Sequence, residues 1–382
     1  MERAFGSAYV HEGDCLMAKI VIACNHDYTT STGGCEIITK QIAENMVRMG
    51  HKCVIFSRAK WTPTTENGVG IVNCGSNPNH FLKNLHNENA DYLLVYSDYF
   101  CFWPIILAKS QEIKCKKILF PVGLNYTLSN PVMVQMLKSR ASQFKIVTHS
   151  EDYDDYLFLS KNNIPVSVIP NGVDLKEIHQ QNFSFRQKYN IGDKKMFLCV
   201  SNFYPGKGQE FLPPILSELH KKYQDFIVVF ISSTTEHMVL NRIRDRFSKG
   251  LSKCMFKSKM LIDIPREDVI QSLFEADTFL FPSQKEVAPL VLLEAMATGL
   301  PWISLDVGNV KSLKGGMIIN TPKDKNGNSV YTQQTNDYFI KSIETILLDK
   351  ENGNYLGETG REKIKKELNW EVISKQYSDL FK

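Results

Sequence analysis

Short apolar runs recur along the chain, and the stretches between them are long enough to form helices. Ten of them predict strands: Ile20–Cys24, Cys53–Phe56, Tyr92–Tyr96, Lys117–Phe120, Lys145–Thr148, Val166–Ile169, Met196–Val200, Phe226–Ile231, Thr278–Phe281 and Trp302–Leu305. Their apolar character is continuous rather than alternating, so each strand is expected to be covered on both faces, as in a parallel sheet. The pattern predicts an α/β protein with two doubly wound domains.

A helix is predicted directly after the first strand. It opens at Gly33 and Gly34 and ends at Gly50, and its apolar positions follow the helical period: Ile37, Ile38, Ile42, Met46 and Met49. The start of the chain therefore reads as a strand, a glycine loop, a helix and a second strand.

The length of 382 residues also favours two domains, because a domain averages about 150 residues. A polar stretch without a strand, from Asp174 to Lys195, is the predicted linker. We therefore expect domains at residues 17–185 and 186–365. The amphipathic pattern of Trp370–Lys382 predicts a further helix within residues 366–382.

The first 16 residues contain Glu2, Glu12 and Asp14 among short apolar runs, which is unlike a secretory signal. We interpret residues 1–16 as a leader outside the fold. The longest apolar stretch, Phe100–Ala108, has nine residues, whereas a membrane-spanning helix needs about 20. The sequence thus predicts a cytoplasmic protein, with peripheral contact to a membrane surface left open.

Composition narrows the class of protein further. Hydrophobic residues make up 43% and charged residues 23% of the chain, which provides for compact cores. The 45 basic and 41 acidic residues give a net charge of +4, too weak over this length to indicate a nucleic-acid partner. The nine cysteines are scattered without a CxxC pair, as expected of free thiols in a reducing compartment.

The segment Phe281–Pro301 (FPSQKEVAPLVLLEAMATGLP) carries the most informative polar residues. A strand ends at its start, and a helix is predicted to begin near Pro289, a residue tolerated at the first helical position. The amide groups of Leu290 and Val291 would then be free to bind a phosphate. This arrangement suits a reaction in which negative charge grows on a diphosphate leaving group.

Two glutamates flank that helix start. Glu294 follows Leu290 by four residues, or about 6 Å along the helix axis, a distance that suits a ribose beside its diphosphate. Glu286 lies in the preceding loop, where it would accept hydrogen bonds from hydroxyls of a transferred sugar. A loop glutamate and a helix glutamate engaged in ion pairs are the plain alternative, which the spacing alone does not exclude.

This segment resembles the E-x7-E signature of retaining glycosyltransferases of family 4 (glycosyl transferases group 1), which have the GT-B fold. Three other segments occur in the order that family shows: Thr30–Glu36 (TSTGGCE), Val168–Asp174 (VIPNGVD) and Val200–Leu212 (VSNFYPGKGQEFL). The resemblance covers about residues 17–382. It implies two Rossmann-like domains facing across a cleft, an N-terminal one for the acceptor and a C-terminal one for the nucleotide-sugar, with the last helix crossing back to the first domain.

The resemblance also implies roles for individual residues. Gly33 and Gly34 would bring backbone amides to the donor phosphates, although a tight turn explains them equally well. Lys207 matches the lysine that binds the donor diphosphate, and with Glu286 it forms the predicted catalytic pair. An isolated lysine before a glycine is otherwise usually solvated. The family turn at Asn171–Asp174 is interpreted as structural.

The sequence departs from the family pattern at three places. Asn202, predicted to bind donor phosphate, stands where the family commonly has arginine. Pro289 stands where glycine is common. The segment Phe120–Tyr126 lacks the histidine often found there, which leaves three acceptor-side candidates: His26, Asn125 and His149.

The resemblance implies a retaining, hexosyltransferase-type glycosyltransferase that needs neither metal nor cofactor beyond its UDP- or GDP-sugar co-substrate. Its acceptor would be a glycan or a lipid-linked glycan. Two alternatives stay open: an epimerase or phosphorylase on the same fold, and a relative that binds sugar nucleotides without turnover. A dehydrogenase is set aside because GxGxxG does not follow the first strand.

Overall fold

A computed structural model of the chain describes residues 17–24, 33–57, 64–74, 77–97, 103–122, 124, 130–235 and 237–382. The predicted leader 1–16 and the acceptor-side candidates His26 and Asn125 lie outside these residues, as does the beginning of the glycine loop.

Two sheets organise the described chain. The first has eight strands in the order β3-β4-β2-β1-β5-β6-β7-β8, and the second has six in the order β11-β10-β9-β12-β13-β14. The strands of the first sheet are β1 Lys19–Ala23, β2 Lys52–Ser57, β3 Thr64–Glu66, β4 Val69–Asn73, β5 Tyr92–Ser97, β6 Lys116–Pro121, β7 Lys145–Thr148 and β8 Ser167–Val168. Those of the second sheet are β9 Lys195–Val200, β10 Phe226–Ser232, β11 Lys257–Ile262, β12 Thr278–Phe281, β13 Trp302–Leu305 and β14 Gly316–Ile319.

Helices connect and cover the strands. Those before β9 are α1 Gly34–Arg48, α2 Pro78–Glu88, α3 Trp103–Ala108, α4 Pro131–Arg140, α5 Asp154–Lys161 and α6 Phe185–Lys188. Those after it are α7 Leu212–His220, α8 Met238–Leu251, α9 Arg266–Glu275, α10 Leu290–Thr298, α11 Gln333–Leu348, α12 Lys350–Glu367 and α13 Trp370–Ser378. Apart from the antiparallel pair β3 and β4, the pairings are parallel, which confirms the predicted fold class.

All ten predicted strands are present, with small differences at their ends. The prediction missed β3, β4, β11 and β14, which lie at or next to sheet edges. An edge strand is half solvated and tolerates lysine and short length, so the apolar run that reveals a buried strand is absent. The sequence of β11, KSKMLI, shows this directly.

The burial pattern of β1 explains why continuous apolar runs predicted covered sheets. Ile20 and Ile22 belong to one apolar cluster, whereas Val21 and Ala23 belong to another on the opposite face. Successive strand residues point to opposite faces, so a strand that is apolar throughout needs a layer of helices on each side. A third cluster surrounds the second sheet.

The chain crosses between the sheets in two adjacent segments. Val173 forms a parallel bridge with Asn369, in which the amide of Val173 donates to Leu368 O (2.9 Å) and that of Trp370 donates to Val173 O (3.2 Å). Gly172 permits the close approach, because a Cβ there would lie 3.3 Å from the carbonyl carbon of Asn369. We call residues 171–174 and 368–370 the crossing ribbon.

Residues on either side of the crossing ribbon pack with different sheets. Ile169 lies in the core of the first sheet and Val173 in that of the second, so the first crossing precedes the predicted boundary at 185/186. Leu368 packs with the second sheet and Trp370 with the first. The helix α13 then buries Ile373 and Tyr377 against the first sheet, and the turn after it buries Leu380 and Phe381 there.

Candidate functional site

Two loops meet at the carboxyl ends of the adjacent strands β9 and β12, the edge where parallel α/β sheets commonly bind ligands. The amide of Gln284 donates to Gly206 O at 2.7 Å. Gly208 has φ +75°, and a Cβ there would lie 2.0 Å from Pro282 O. The two loops are therefore in backbone contact, and only glycine fits at position 208.

Lys207 and Glu286 project from these two loops and form an ion pair. Lys207 Nζ lies 2.7 Å from Glu286 Oε1, with side-chain exposures of 31% and 11%. The structure thus brings together the two residues of the predicted catalytic pair. The ammonium group retains donors for a ligand, because a lysine has three and this pair uses one.

The loop that carries Glu286 is held by its backbone. Asn171 Nδ2 donates to Ala288 O at 2.8 Å, and the amide of Asn309 donates to Val287 O at 2.9 Å. Gly308, at φ +50°, makes room for this contact, since a Cβ there would lie 2.3 Å from Val287 O. The turn at Asn171, interpreted from sequence as structural, thus also contacts the loop of the second sheet.

The helix α10 begins at Leu290, one residue later than predicted. Pro289 is its N-cap, with φ −69° and ψ 118°, rather than its first helical residue. Proline is accommodated at the N-cap because the amide hydrogen that it lacks is not needed there. Its extended ψ directs the chain into the helix. The first amides of a helix, here those of Leu290 and Val291, have no intrahelical acceptor and carry partial positive charge.

The glycine turn of the first sheet lies opposite this helix start. A Cβ on Gly34 would lie 3.9 Å from Leu290 Cδ1, and Leu290 packs against the cores of both sheets. Gly33 is the N-cap of α1. The starts of two helices from opposite sheets therefore adjoin the same region, as expected for a site that binds an anion.

Glu294, one turn into α10, is paired with Arg266 at the start of α9. Arg266 donates to its two carboxylate oxygens at 2.5 and 3.2 Å and to those of Glu177 at 3.0 and 3.1 Å. Burial alone lowers the pKa of Arg266, but the two carboxylates outweigh it and raise the pKa, so the guanidinium stays charged. The Glu294 carboxylate is 10% exposed and keeps lone pairs for further donors.

Arg266 was not among the residues predicted from sequence. Its segment, IPREDVIQSLFEADTFLFPS, is distinguished in the sequence only because it leads into the family signature. The available signal was an arginine directly after Pro265, at the start of a helix that precedes β12. Its pairing with Glu294 depends on how two helices pack, which spacing does not reveal.

Asn202 ties the loop after β9 to the end of β10. Its Oδ1 accepts from the amide of Ser233 at 2.9 Å and from Ser232 Oγ at 3.4 Å. Its backbone carbonyl oxygen accepts from Gln209 Nε2 at 3.1 Å. The side chain therefore positions the loop and adds no charge, so Lys207 is the cation of this loop.

His149 lies in the core of the first sheet and is 4% exposed. Its Nδ1 lies 2.9 Å from Ile169 O, and because a carbonyl only accepts, Nδ1 carries the proton. Nε2 then accepts from the hydroxyl of Tyr96 at 2.5 Å. Burial lowers the pKa of His149 to about 4. Both ring nitrogens are thus engaged within the first sheet, and neither is directed to a ligand.

Neither a metal-binding cluster nor a membrane-spanning helix is found among the described residues. In the ranges that the structure describes, no three His, Cys, Asp or Glu side chains are arranged to hold a metal ion. No helix within those same ranges combines the length and apolar character needed to cross a membrane.

Comparison with known proteins finds a family similar to the second half of the chain. Residues 181–363, which include Lys207, Glu286 and Glu294, match the model of glycosyl transferases group 1. A GDP-mannose-dependent alpha-(1-6)-phosphatidylinositol monomannoside mannosyltransferase of Mycobacterium tuberculosis is 21% identical over 268 residues, or 66% of this chain and 65% of that protein. The chain thus matches slightly less than two thirds of that relative's length.

Solved structures share the fold. Sucrose-phosphate synthase from Thermosynechococcus elongatus superposes with a TM-score of 0.79 at 17% identity, covering 95% of this chain and 98% of that one. Anabaena HepE in complex with UDP-glucose gives a TM-score of 0.74 at 14% identity, covering 95% and 99%. With two mainly parallel sheets and these structural neighbours, the chain has the GT-B fold, and its residues 181–363 are similar to the glycosyl transferases group 1 family.

Proposed function

We propose that this protein transfers a sugar from a nucleotide-activated donor to a glycan or glycolipid acceptor. The observation that carries the proposal is the Lys207–Glu286 pair, 2.7 Å apart, in which Glu286 belongs to the loop that leads directly into the start of α10. The family, a relative named as GDP-mannose-dependent and a structural neighbour that holds UDP-glucose support a UDP- or GDP-sugar as donor.

In the proposed reaction the bond between the anomeric carbon and a phosphate oxygen breaks. The electron pair remains on that oxygen, so negative charge grows on the nucleoside diphosphate. The ammonium group of Lys207 and the amides of Leu290 and Val291 would stabilise that charge. These groups are fixed before a ligand binds, so little reorganisation accompanies charge development.

The two glutamates would position the donor on either side of its diphosphate. Glu286, held by Lys207 and by the backbone contacts of its loop, would accept hydrogen bonds from hydroxyls of the sugar. Glu294, held by Arg266, would accept from the ribose hydroxyls. In this proposal the charge on the diphosphate is met by Lys207 and helix amides, without a metal ion or cofactor.

The acceptor would approach from the first sheet, past Gly33 and Gly34, the second of which faces the start of α10. The acceptor hydroxyl oxygen forms the new bond to the anomeric carbon as the diphosphate leaves, and the hydroxyl proton passes to the departing phosphate oxygen. Retention of the anomeric configuration is proposed from the family resemblance and is tested by determining the anomeric configuration of the product.

A panel of UDP-, GDP- and ADP-sugars tests the donor proposal. The melting temperature of the protein and the release of nucleoside diphosphate are measured with each. We expect a UDP- or GDP-sugar to raise the melting temperature and to be hydrolysed slowly without acceptor. Failure of every sugar nucleotide and of free UDP and GDP to stabilise the protein would refute the proposed site.

The role of Asn202 favours one second candidate, a relative that binds sugar nucleotides without turnover. Its side chain accepts from Ser232 and Ser233 and supplies no charge where the family commonly has arginine. In the same panel this candidate predicts a raised melting temperature with no release of nucleoside diphosphate, also when glycan and glycolipid acceptors are added. Release of the diphosphate in wild type and its loss in Lys207→Ala would exclude it.

A further inference from the structure

Helix α8 and the turn after it expose a concentration of large apolar side chains. Met238, Val239 and Ile243 are 68%, 66% and 44% exposed, and Met255 is 87% exposed. Four of the fifteen exposed large hydrophobic side chains of the described residues thus lie within residues 238–255. Single exposed apolar residues are ordinary, but a contiguous group marks an interaction surface.

The same helix face is basic. Arg242, Arg246 and Lys249 are exposed, and at about 100° per residue they fall with the apolar positions of α8 in an arc of about 140°. Lys253 and Lys257 follow beyond the helix and are also exposed. We call the exposed apolar and basic side chains of α8 that lie in this arc the α8 face.

Acidic side chains do not neutralise this face within the described chain. Asp245 is the one acidic residue of α8, and it pairs at 2.8 Å with Arg244, whose side chain is 9% exposed and turned inward. None of the five exposed cations has a carboxylate within 4.0 Å among the residues that the structure describes.

The opposite side of α8 packs against the core of the second sheet. The ring of Phe247 lies 5.1 Å from that of Phe203 and 5.0 Å from that of Phe230, and Leu251 is 4% exposed. The apolar residues of the α8 face therefore contribute little to the core of the second sheet, so their exposure needs another reason.

We propose that the α8 face docks on a lipid surface that carries anionic headgroups. The cations attract such headgroups, and the apolar side chains enter the boundary between headgroups and acyl chains, as in amphipathic helices that lie in a membrane surface. A nucleic-acid phosphate backbone would match the cations but would leave Met238, Val239 and Ile243 in water. The chemistry of the whole face fits a lipid surface.

Docking there would also place the candidate site near the membrane. Met238 and Val239 follow β10, and the end of β10 is bonded to Asn202 in the loop that carries Lys207. The proposal goes beyond sugar transfer, since lipid binding by the α8 face does not depend on turnover. It is consistent with a glycolipid acceptor.

Co-sedimentation of the full-length protein with vesicles tests the proposal. Vesicles of phosphatidylcholine alone are compared with vesicles that also contain phosphatidylglycerol, at low and high salt. We expect binding only to the anionic vesicles and weakening by salt. Replacing Arg242, Arg246 and Lys249 together by serine should reduce the partition coefficient about a hundredfold, since each cation contributes about 1 kcal/mol, or about fivefold.

A second variant and a matched control distinguish docking by the α8 face from attraction by surface charge in general. Val239→Ser with Ile243→Ser should also reduce binding, because insertion needs the apolar side chains. Lys365→Ser with Lys366→Ser removes exposed cations from α12 and should leave binding unchanged. Melting temperatures and UDP or GDP binding confirm that the variants are folded.

Three results would overturn the proposal. The first is no binding of the wild-type protein to anionic vesicles. The second is binding by both α8 variants that equals binding by the wild type, and the third is a loss of binding in the α12 control as large as that in the α8 variants. A change of oligomeric state in the α8 variants, without lipid binding by the wild type, would assign the face to a second copy of the chain instead.

Discussion

Lys207 Nζ and Glu286 Oε1 lie 2.7 Å apart, although 79 residues separate them along the chain. The pair holds the ammonium group of Lys207 against the loop that leads into α10 before any ligand is bound. A cation held in this way meets developing charge without moving, which is the arrangement that most favours a transition state over a ground state.

Lys207→Ala should therefore reduce turnover more than donor affinity. Loss of one such group lowers a rate by about a hundredfold in comparable sites, whereas the ground-state diphosphate keeps the helix amides. The measurement is kcat and KM for donor hydrolysis and transfer with the donor found in the panel. Lys222→Ala, which removes an exposed lysine paired with Glu344, is the matched control; equal rates in Lys207→Ala and wild type would exclude the proposed role.

Glu294→Ala should weaken binding of free UDP or GDP by about tenfold or more, because a carboxylate bonded to ribose hydroxyls contributes at least about 1.4 kcal/mol. Isothermal calorimetry measures the Kd. Glu177→Ala is the control, since it removes the other carboxylate of Arg266 and leaves Glu294 in place. Unchanged affinity in Glu294→Ala would rule out the ribose role.

Gly208→Ala should destabilise the protein by at least about 3 kcal/mol, and it should weaken nucleotide binding. A left-handed backbone at alanine costs about 1–2 kcal/mol, and the new Cβ would also lie 2.0 Å from Pro282 O. Gly206→Ala is the control, because Gly206 has φ +86° and a Cβ there would have no atom within 4 Å. It should cost only the free energy of the left-handed backbone. Urea unfolding measures both; equal effects would show that the loop contact is not specific.

His149→Gln should flatten the pH dependence of stability between about pH 6.5 and 4. The pKa of His149 is lowered from 6.5 to about 4 by burial, so in this window the unfolded chain binds a proton that the folded one does not. Stability from this residue is thus present above pH 6.5 and falls as the pH drops toward 4, by up to about 3 kcal/mol.

Urea midpoints at a series of pH values measure this slope in both proteins. The pKa of His51 is also lowered by burial, but His51 is present in both and contributes equally. Identical slopes in wild type and His149→Gln would contradict the prediction.

Tyr377→Phe should leave stability unchanged or raise it by about 1 kcal/mol. The Tyr377 hydroxyl is buried and has no hydrogen-bond partner among the described residues, and such a group is unfavourable by about 1–3 kcal/mol. Tyr92→Phe is the control, because its hydroxyl donates to Lys382 O at 3.1 Å and accepts from Lys116 Nζ at 3.0 Å. Chemical unfolding should show a loss of stability only in the control.

The sequence predicted those features that depend on neighbours along the chain. Continuous apolar runs located the central strands, because burial on both faces leaves no polar positions. The stretch from Phe281 to Glu294 located the strand, loop and helix of the candidate site, since all three lie within 14 consecutive residues.

Features that depend on tertiary packing escaped prediction. Arg266 meets Glu294 only because α9 packs beside α10, and Asn202 meets Ser233 only because β9 pairs with β10. His149 was an acceptor-side candidate by position, but its partners Tyr96 and Ile169 lie 53 and 20 residues away. No pattern within one segment contains that information.

The crossing ribbon limits how the two halves of the molecule can move. A single connecting segment would leave the two sheets free to rotate about its axis. Two segments bonded side by side at Val173 and Asn369 resist torsion and yield mainly by bending out of their common plane. Any change in the space between Gly34 and Leu290 would therefore have to bend both segments together, and the residues from Asn369 onward form a second support between the two sheets.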